Sequence, residues 1–194
     1  ILGLLDKADS GEYKLLNNNI TRLTGNEYAR LRNQFFGFVF QMFNLLPRLN
    51  VSGNAMLPFI YAGTVSQQDR ERVHSILNKI GLKKRLHHRP NELSGGEQQR
   101  VAIARAIANQ PLVILADEPT GNLDSKTAIE IIDLLKELNA QGNTIIMVTH
   151  EPDLASVAAR TITLRDGQII SDERISSKRE ATVPQFSLKK RKGI

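Results

Sequence analysis

The sequence contains no cysteine, which excludes disulfide bonds and thiolate metal sites and suits a reducing cytoplasm. It also has no run of the about 18 apolar residues that a membrane-spanning helix requires. Its longest apolar runs, such as residues 112–116, have only the length of a strand. With 194 residues, an apolar share of 41% and a charged share of 24%, the composition is that of one ordinary globular domain.

The formal net charge of +6 is concentrated at one end of the chain. Residues 1–173 contain 19 basic and 19 acidic side chains, whereas residues 174–194 contain seven basic side chains and one acidic one. Such a run is typical of a solvated, disordered tail, and contact with an anionic membrane surface is the functional alternative. Nucleic-acid binding is disfavoured because no aromatic stacking platform accompanies the charge. We therefore predict a neutral body, residues 1–173, and a basic tail, residues 174–194.

Hydrophobic periodicity predicts an α/β fold built on parallel strands. Residues 112–116 and 144–148 are continuous apolar strands with a helical pattern between them, which is typical of a βαβ unit. Residues 35–40 predict a further strand, and residues 47–90 are helical in pattern. Other predicted elements are a short strand at 13–16, helices beginning after Thr24 and at Ser94, and a hairpin at 161–171.

Polar side chains follow three of the predicted strands at their carboxyl ends: Gln41, the pair Asp117 and Glu118, and His150. In open α/β sheets this edge is where ligands bind, so we expect these side chains to converge. Nucleoside triphosphate chemistry needs a carboxylate to hold Mg²⁺ and a group to orient an attacking water. Asp117 fits the metal role and Glu118 the water role. The alternative is that the strand simply ends in charged surface residues.

The string L-S-G-G-E-Q-Q-R, residues 93–100, places Ser94, Gly95 and Gly96 at the start of a predicted helix. Free backbone N–H groups and the helix dipole attract anions there, and glycines let a phosphate approach closely. A serine cap followed by a flexible turn is the simpler alternative. The continuation into Q-Q-R-V-A-I-A-R-A-I-A, with the acid pair beyond it, favours phosphate binding.

Together these strings resemble the ATP-binding-cassette (ABC) transporter ATPases. L-S-G-G-E-Q-Q-R resembles the family's signature motif, I-L-A-D-E its Walker B motif, N-L-D its D-loop, and I-M-V-T-H the segment of its switch histidine. The order and the separations match, over roughly residues 1–173. The resemblance implies an α/β, P-loop NTPase-like parallel-sheet core with a helical subdomain at about residues 47–108.

The resemblance also implies a role for each matching side chain around ATP and Mg²⁺. Gln41 would contact Mg²⁺ and the attacking water, and Asp117 would coordinate Mg²⁺. Glu118 would act as general base, and His150 would contact the γ-phosphate. Across a homodimer, the residues expected to contact the nucleotide of the opposite subunit or couple the two sites are Ser94, Gly95, Gly96, Gln98 and Asp124.

Less common strings narrow the resemblance to one branch of the family. F-N-L-L-P-R-L-N-V-S-G-N-A-M-L-P and A-D-E-P-T-G-N-L-D-S-K-T resemble the macrolide and antimicrobial-peptide exporters (MacB type). The lipoprotein-releasing (LolD type) and cell-division (FtsE type) ATPases are near relatives. This implies an ATPase at the cytoplasmic face of a bacterial inner membrane. Its partners would be a transmembrane permease and, through the permease, a membrane-fusion protein, with no nucleic acid.

One family motif does not occur in the sequence. The phosphate loop, G-x-x-x-x-G-K-[ST], is absent, and the apolar residues 1–5 predict the end of a helix. We therefore expect a member that lacks its N-terminal strands and phosphate loop and is inactive alone, whether by truncation of an intact protein or as a natural short form. A non-catalytic remnant that binds a permease or a sister subunit is the alternative function. DNA-repair and translation ATPases are disfavoured, since neither coiled coils nor tandem cassettes are visible.

Overall fold

The computed structural model describes residues 1–63 and 65–174. Its helices and strands are, in chain order, β1 (Lys14–Leu15), β2 (Asn18–Asn19), α1 (Gly25–Phe35), β3 (Phe36–Phe40), α2 (Val51–Tyr61), α3 (Gln67–Lys79), α4 (Gly95–Ile107), β4 (Val113–Asp117), α5 (Ser125–Ala140), β5 (Thr144–Val148), α6 (Pro152–Ala155), β6 (Arg160–Arg165) and β7 (Gln168–Arg174). Short 3₁₀ turns lie at Lys83–Arg85 and Pro90–Glu92. No helix of the described part is long and apolar enough to cross a membrane.

The central sheet consists of three parallel strands in the order β3–β4–β5. This confirms the predicted parallel core and its βαβ unit, in which α5 connects β4 to β5. The apolar stripe of α5 is buried, as a helix covering a sheet requires. Its members are Ile131, Ile132, Leu135 and Leu138, which pack with Val39, Ile114 and Ala116 of the strands.

Helix α4 lies between the sheet and the helices α2 and α3. Its Ile103 and Ala106 belong to the sheet core, whereas Val101, Ala104 and Ala108 pack with α2 and α3. The approach to the sheet is close, because a Cβ at Gly37 on β3 would overlap the carbonyl oxygen of Ala106. Only glycine at this position lets α4 sit so near the strand.

The helical pattern predicted over residues 47–90 resolves into α2 and α3. The apolar face of α3 is buried at Val73 and Leu77, and Ile80, directly after the helix, is buried too. The helix ends at Lys79, and Gly81, two residues later, has a φ of +83°, a conformation that glycine adopts at little cost.

The prediction of a helix end at residues 1–5 is wrong. Leu4 has a φ of +57°, in the left-handed region, and its N–H donates to the Ile1 carbonyl at 2.9 Å in a single turn. This conformation buries Leu4 on the sheet face beside α1 and brings Gly3 against Phe38 and Leu115. Leu4 therefore packs on the sheet, whereas Ile1, Leu2 and Leu5 are exposed.

The C-terminal hairpin is confirmed, with Asp166 and Gly167 at its turn in the left-handed conformations that two-residue hairpins favour. Strand β7 extends to Arg174, which pairs with Arg160 across the hairpin. Arg174, the first residue of the predicted basic tail, is thus the last residue of this strand. The rest of that tail, residues 175–194, lies outside the described residues.

Candidate functional site

The carboxyl ends of the three parallel strands are level with one another. Phe40 pairs with Asp117, and Asp117 pairs with Val148, so the last residues of β3, β4 and β5 form one row. Gln41 and Glu118 immediately follow the first two strands, and His150 follows the third after one intervening residue. The carboxylate of Asp117 is on an exposed residue at the centre of this row.

Glu118 and His150 are in direct contact at this edge. The Oε1 atom of Glu118 lies 2.6 Å from Nδ1 of His150 and accepts a second hydrogen bond from the His150 backbone N–H at 3.0 Å. The backbone N–H of Glu118 donates to the Val148 carbonyl at 3.0 Å, which extends the β4–β5 pairing into the site. The side chain of Glu118 is 17% exposed, while that of His150 is 79% exposed.

The hydrogen bond and the negative charge of Glu118 raise the pKa of His150 above its ordinary value of 6.5. A nearby carboxylate favours the imidazolium form, because that form has the opposite charge. The pair can therefore hold or exchange a proton near neutral pH.

Gln41 reaches the segment that follows Glu118. A Cβ at Gly121 would lie 2.7 Å from Nε2 of Gln41, so the glutamine occupies space that only glycine leaves open. The N–H of Gly121 donates to the Glu118 carbonyl at 3.1 Å, and Nδ2 of Asn122 donates to the Gln41 carbonyl at 3.0 Å. The structure therefore brings Gln41, Asp117, Glu118 and His150 to one edge of the sheet.

Ser94 is the N-cap of α4. Its Oγ accepts a hydrogen bond from the Glu97 N–H at 3.2 Å, and the Glu97 carboxylate accepts one from the Ser94 N–H at 2.9 Å, which is a capping box. The Ser94 N–H is the main cause that lowers the pKa of Glu97, and Arg85 contributes through an ion pair at 2.9 Å. Gln98 donates from Nε2 to the Leu93 carbonyl at 3.2 Å, so it braces the turn before the helix.

Asp124 is the N-cap of α5 and is held by Thr127. Its Oδ1 accepts from the Thr127 N–H at 3.0 Å, and its Oδ2 accepts from the Thr127 hydroxyl at 2.6 Å. These two bonds, the hydroxyl first, lower the pKa of Asp124. The start of α4 lies against this region, because Gly95 faces Leu123 and Gly96 faces Thr127. Ser94, Gly95, Gly96 and Asp124 thus form a second group, beside the loop that follows Glu118.

Three structural side chains of this region were not anticipated by the sequence analysis. Gln99 is fully buried and donates from Nε2 to the carbonyl of Pro119, directly after Glu118. Arg105 donates to the carbonyls of Phe43 and Asn44 in the loop after Gln41. The third is Thr127, which holds Asp124. Helical spacing could have indicated that Gln99 is buried, because it lies four residues before the buried Ile103 and therefore on the same face of the helix.

The donor set at the sheet edge suits a hard cation bound together with phosphates. Asp117 offers carboxylate oxygens and Gln41 an amide oxygen, which are the ligands that Mg²⁺ prefers. Among residues 1–63 and 65–174, no group of three or more His, Cys, Asp or Glu side chains gathers to hold a metal by itself. Such a site would suit Mg²⁺, which usually binds one or two carboxylates and completes its shell with water and substrate phosphates.

A sequence model of one protein family, described as ABC transporter, matches residues 1–121. The chain belongs to this family. The matched residues include the string at 93–100, the strands β3 and β4 and the helices α1 to α4. The match ends at Gly121, so Asp124 and His150 lie beyond it.

Curated relatives of this ABC chain include membrane exporters. The macrolide export ATP-binding/permease protein MacB of Chlorobium phaeobacteroides is 53% identical over 174 residues, which cover 90% of this chain and 26% of that protein. An uncharacterized ABC transporter ATP-binding protein of Bacillus subtilis, YknY, is 52% identical over 170 residues, or 88% of this chain and 74% of that protein. The chain thus spans about a quarter of the length of the MacB relatives.

Solved ABC cassettes have the same fold. The dimeric ATP-binding cassette MJ0796, in a post-hydrolysis state bound to ADP and phosphate, matches with a TM-score of 0.79 and 44% identity. The match covers 89% of this chain and 76% of that one. The α/β core with its parallel sheet is therefore the P-loop NTPase-like core of ABC ATPases.

Proposed function

We propose that this chain is the ATP-binding and ATP-hydrolysing part of an ABC exporter of the MacB type. The observation that carries the proposal is the contact between Glu118 and His150 at the sheet edge that also gathers Gln41 and Asp117. The MacB relatives support the export assignment, since they are named as macrolide export proteins with ATP-binding and permease parts. The cargo class would be a macrolide, a peptide or a lipoprotein.

Each side chain at the edge has a distinct task in this proposal. Asp117 and the amide of Gln41 would hold Mg²⁺, which would supply positive charge to the phosphates of ATP. Glu118 acts as general base towards the attacking water, and His150 contacts the γ-phosphate. The short contact between Glu118 and His150 supports these roles, because the histidine can orient the carboxylate and respond to the change in its charge when it takes a proton from the water.

The signature group would act across a homodimer. Ser94, Gly95, Gly96 and Gln98 are proposed to contact the nucleotide of the partner subunit, and Asp124 to couple the two sites. The exposed start of α4 supports this, since helix N-termini bind phosphate and Ser94 lies at the surface. The dimeric cassette bound to ADP and phosphate supports the same arrangement.

The permease would dock on residues 47–108, which we propose as the helical subdomain. A groove of about 380 Å³ lies between α2 and α3, with an apolar floor that includes Met56, Ile60 and Val65. Ile60 and Tyr61 at the end of α2 are also exposed, by 50% and 76%. This placement would put the ATPase at the cytoplasmic face of the inner membrane, with a membrane-fusion protein reached through the permease.

The catalytic proposal can be tested with a chimera. Residues 1–194 contain no G-x-x-x-x-G-K-[ST] string, so a segment that carries this string would be joined to Ile1, with the ATP-binding relative YknY as the intended donor. We expect the chimera to hydrolyse ATP with Mg²⁺ present, while residues 1–194 alone do not. A well-folded chimera that binds ATP but never hydrolyses it would contradict the assignment.

A second candidate is a non-catalytic remnant that binds a permease or a sister ATPase subunit. Sequencing the DNA upstream of the codon for Ile1 separates the two. An in-frame phosphate loop favours the ATPase, and a stop codon favours the remnant.

A further inference from the structure

The start of α4 and the start of α5 touch through one threonine. Thr127 presents two groups in different directions: its hydroxyl donates to Oδ2 of Asp124 at 2.6 Å, and its methyl group faces Gly96. A Cβ built at Gly96 would overlap that methyl group, and it would lie 3.7 Å from both Cβ and Oγ1 of Thr127. Gly96 is therefore required by a neighbour within the same chain.

The two groups of Thr127 cannot move independently. Both are attached to the same Cβ, so a rotation that moves the methyl group away from α4 also moves the hydroxyl away from Asp124. The hydroxyl bond is short and is made to a carboxylate, which makes it one of the stronger hydrogen bonds of the region. The methyl group is thus fixed in the path of any side chain at position 96.

We propose that Thr127 is a positioning residue that couples the N-terminus of α4 to the conformation of Asp124. A displacement of α4 towards α5 pushes on the methyl group, rotates the side chain and releases the carboxylate. The inference rests on the proposed function for its consequence, because Gly96 and Asp124 are the residues assigned there to the nucleotide and to the partner subunit. It gives the two elements a direct mechanical connection inside one subunit.

Gly95 provides the matched control within the same helix. A Cβ at Gly95 would lie 3.4 Å from Cδ2 of Leu123 and 3.8 Å from the Asn122 carbonyl oxygen, which are ordinary contacts. Glycine to alanine in a helix gains intrinsic propensity at either position. A loss of stability that alanine causes at position 96 and not at position 95 therefore comes from the contact with Thr127.

The experiment is a double-mutant cycle on the 194-residue chain without nucleotide, using Gly96→Ala, Thr127→Ser and both together. Thermal unfolding gives the midpoint, and NMR titration of the side-chain carboxyl carbon gives the pKa of Asp124. We expect Gly96→Ala to lower the midpoint and to raise the pKa of Asp124 towards its ordinary value. Thr127→Ser removes the methyl group and keeps the hydroxyl. The double variant should therefore recover most of the unfolding midpoint and most of the low pKa of Asp124. Gly95→Ala should change neither quantity.

Two further outcomes are decisive. If Gly96→Ala does not fold, a folded double variant supports the inference, and an unfolded one overturns it. The coupling does not exist if Gly96→Ala lowers the unfolding midpoint equally with threonine or serine at position 127. It also does not exist if Gly96→Ala leaves the pKa of Asp124 unchanged. The double-mutant cycle requires no ATP, so its result stands even if the chain is not part of an ATPase. Likewise, the absence of this coupling would not contradict the ATPase proposal.

Discussion

Nδ1 of His150 lies 2.6 Å from Oε1 of Glu118, at the end of two neighbouring parallel strands. The same carboxylate oxygen accepts the His150 backbone N–H, so the histidine is held from both its main chain and its ring. The carboxylate is mostly buried and the imidazole is mostly exposed. The pair therefore has a fixed acceptor and an accessible, titratable donor.

The first prediction concerns the titration of His150. Because the Glu118 carboxylate favours the imidazolium, its pKa in the folded chain should lie above 6.5. Glu118→Gln removes the charge and should bring the pKa back towards 6.5, as measured by NMR. Glu151→Gln removes a second, lesser contribution and should lower the pKa by a smaller amount.

The same shift sets the pH dependence of stability. A raised folded-state pKa stabilises the fold fully below the unfolded-state value of about 6.5, and that contribution is lost as the pH rises through the folded-state value. The unfolding free energy of the wild-type chain should therefore be higher than that of Glu118→Gln, and the difference between them should be larger at acid pH than above neutrality. A difference that grows with rising pH would contradict the assigned direction.

A second prediction concerns Asn54, which is fully buried on α2. Its Oδ1 accepts from the Leu46 N–H at 2.7 Å, and its Nδ2 donates to the carbonyls of Leu46, Leu49 and Asn50, each at 3.1 Å. Asn54→Ala removes the recorded partner of the Leu46 N–H and of the Leu49 carbonyl, and should cost about 3 kcal/mol of unfolding free energy in urea. Asn78→Ala, on α3, should cost far less.

A third prediction concerns Arg105, whose guanidinium donates to two carbonyls of the loop after Gln41. Phe43 and Asn44 in that loop have φ values of +59° and +50°, in the left-handed region that is unfavourable for residues with side chains. Arg105→Gln should destabilise the chain by about 2 kcal/mol and speed amide hydrogen exchange in this loop.

The exposed Arg48 is the control for that experiment. Arg48→Gln removes the same charge near the same loop and should leave the exchange rates unchanged. Equal effects of the two substitutions would show that charge, rather than the contact with the two carbonyls, determines the order of the loop.

The sequence predicts best those features that depend on neighbouring residues. The helix starts after Thr24 and at Ser94 follow from local capping chemistry, and both residues are N-caps in the structure. The strand over residues 144–148 was predicted with its observed bounds, because a continuous apolar run between turn residues has few other solutions.

The sequence predicts poorly what depends on distant contacts. The apolar residues 1–5 have helical composition, yet packing of Leu4 on the sheet turns them away from a helix. Arg105 bonds to carbonyls of Phe43 and Asn44, and the methyl group of Thr127 lies against Gly96, so both act through partners that only the fold brings near. At the site, the strand ends were predictable, whereas the contact of Gln41 with Gly121 was not.

A fourth prediction concerns nucleotide binding by residues 1–194 as printed. The edge holds carboxylates and a histidine, and the sequence has no phosphate loop to balance the charge of ATP. Fluorescent ATP with Mg²⁺ should therefore bind weakly, and no phosphate should be released. Tight binding together with turnover that depends on Glu118 would refute this.

The most direct test of the central claim compares ATP turnover by the YknY chimera with turnover by its Glu118→Gln variant. The account predicts that the variant binds ATP as the chimera does and releases almost no phosphate, because the general base is gone. Glu151→Gln, the control at the neighbouring acid, should keep its turnover. Undiminished turnover in Glu118→Gln would contradict the claim that this carboxylate, held by His150, performs the chemistry.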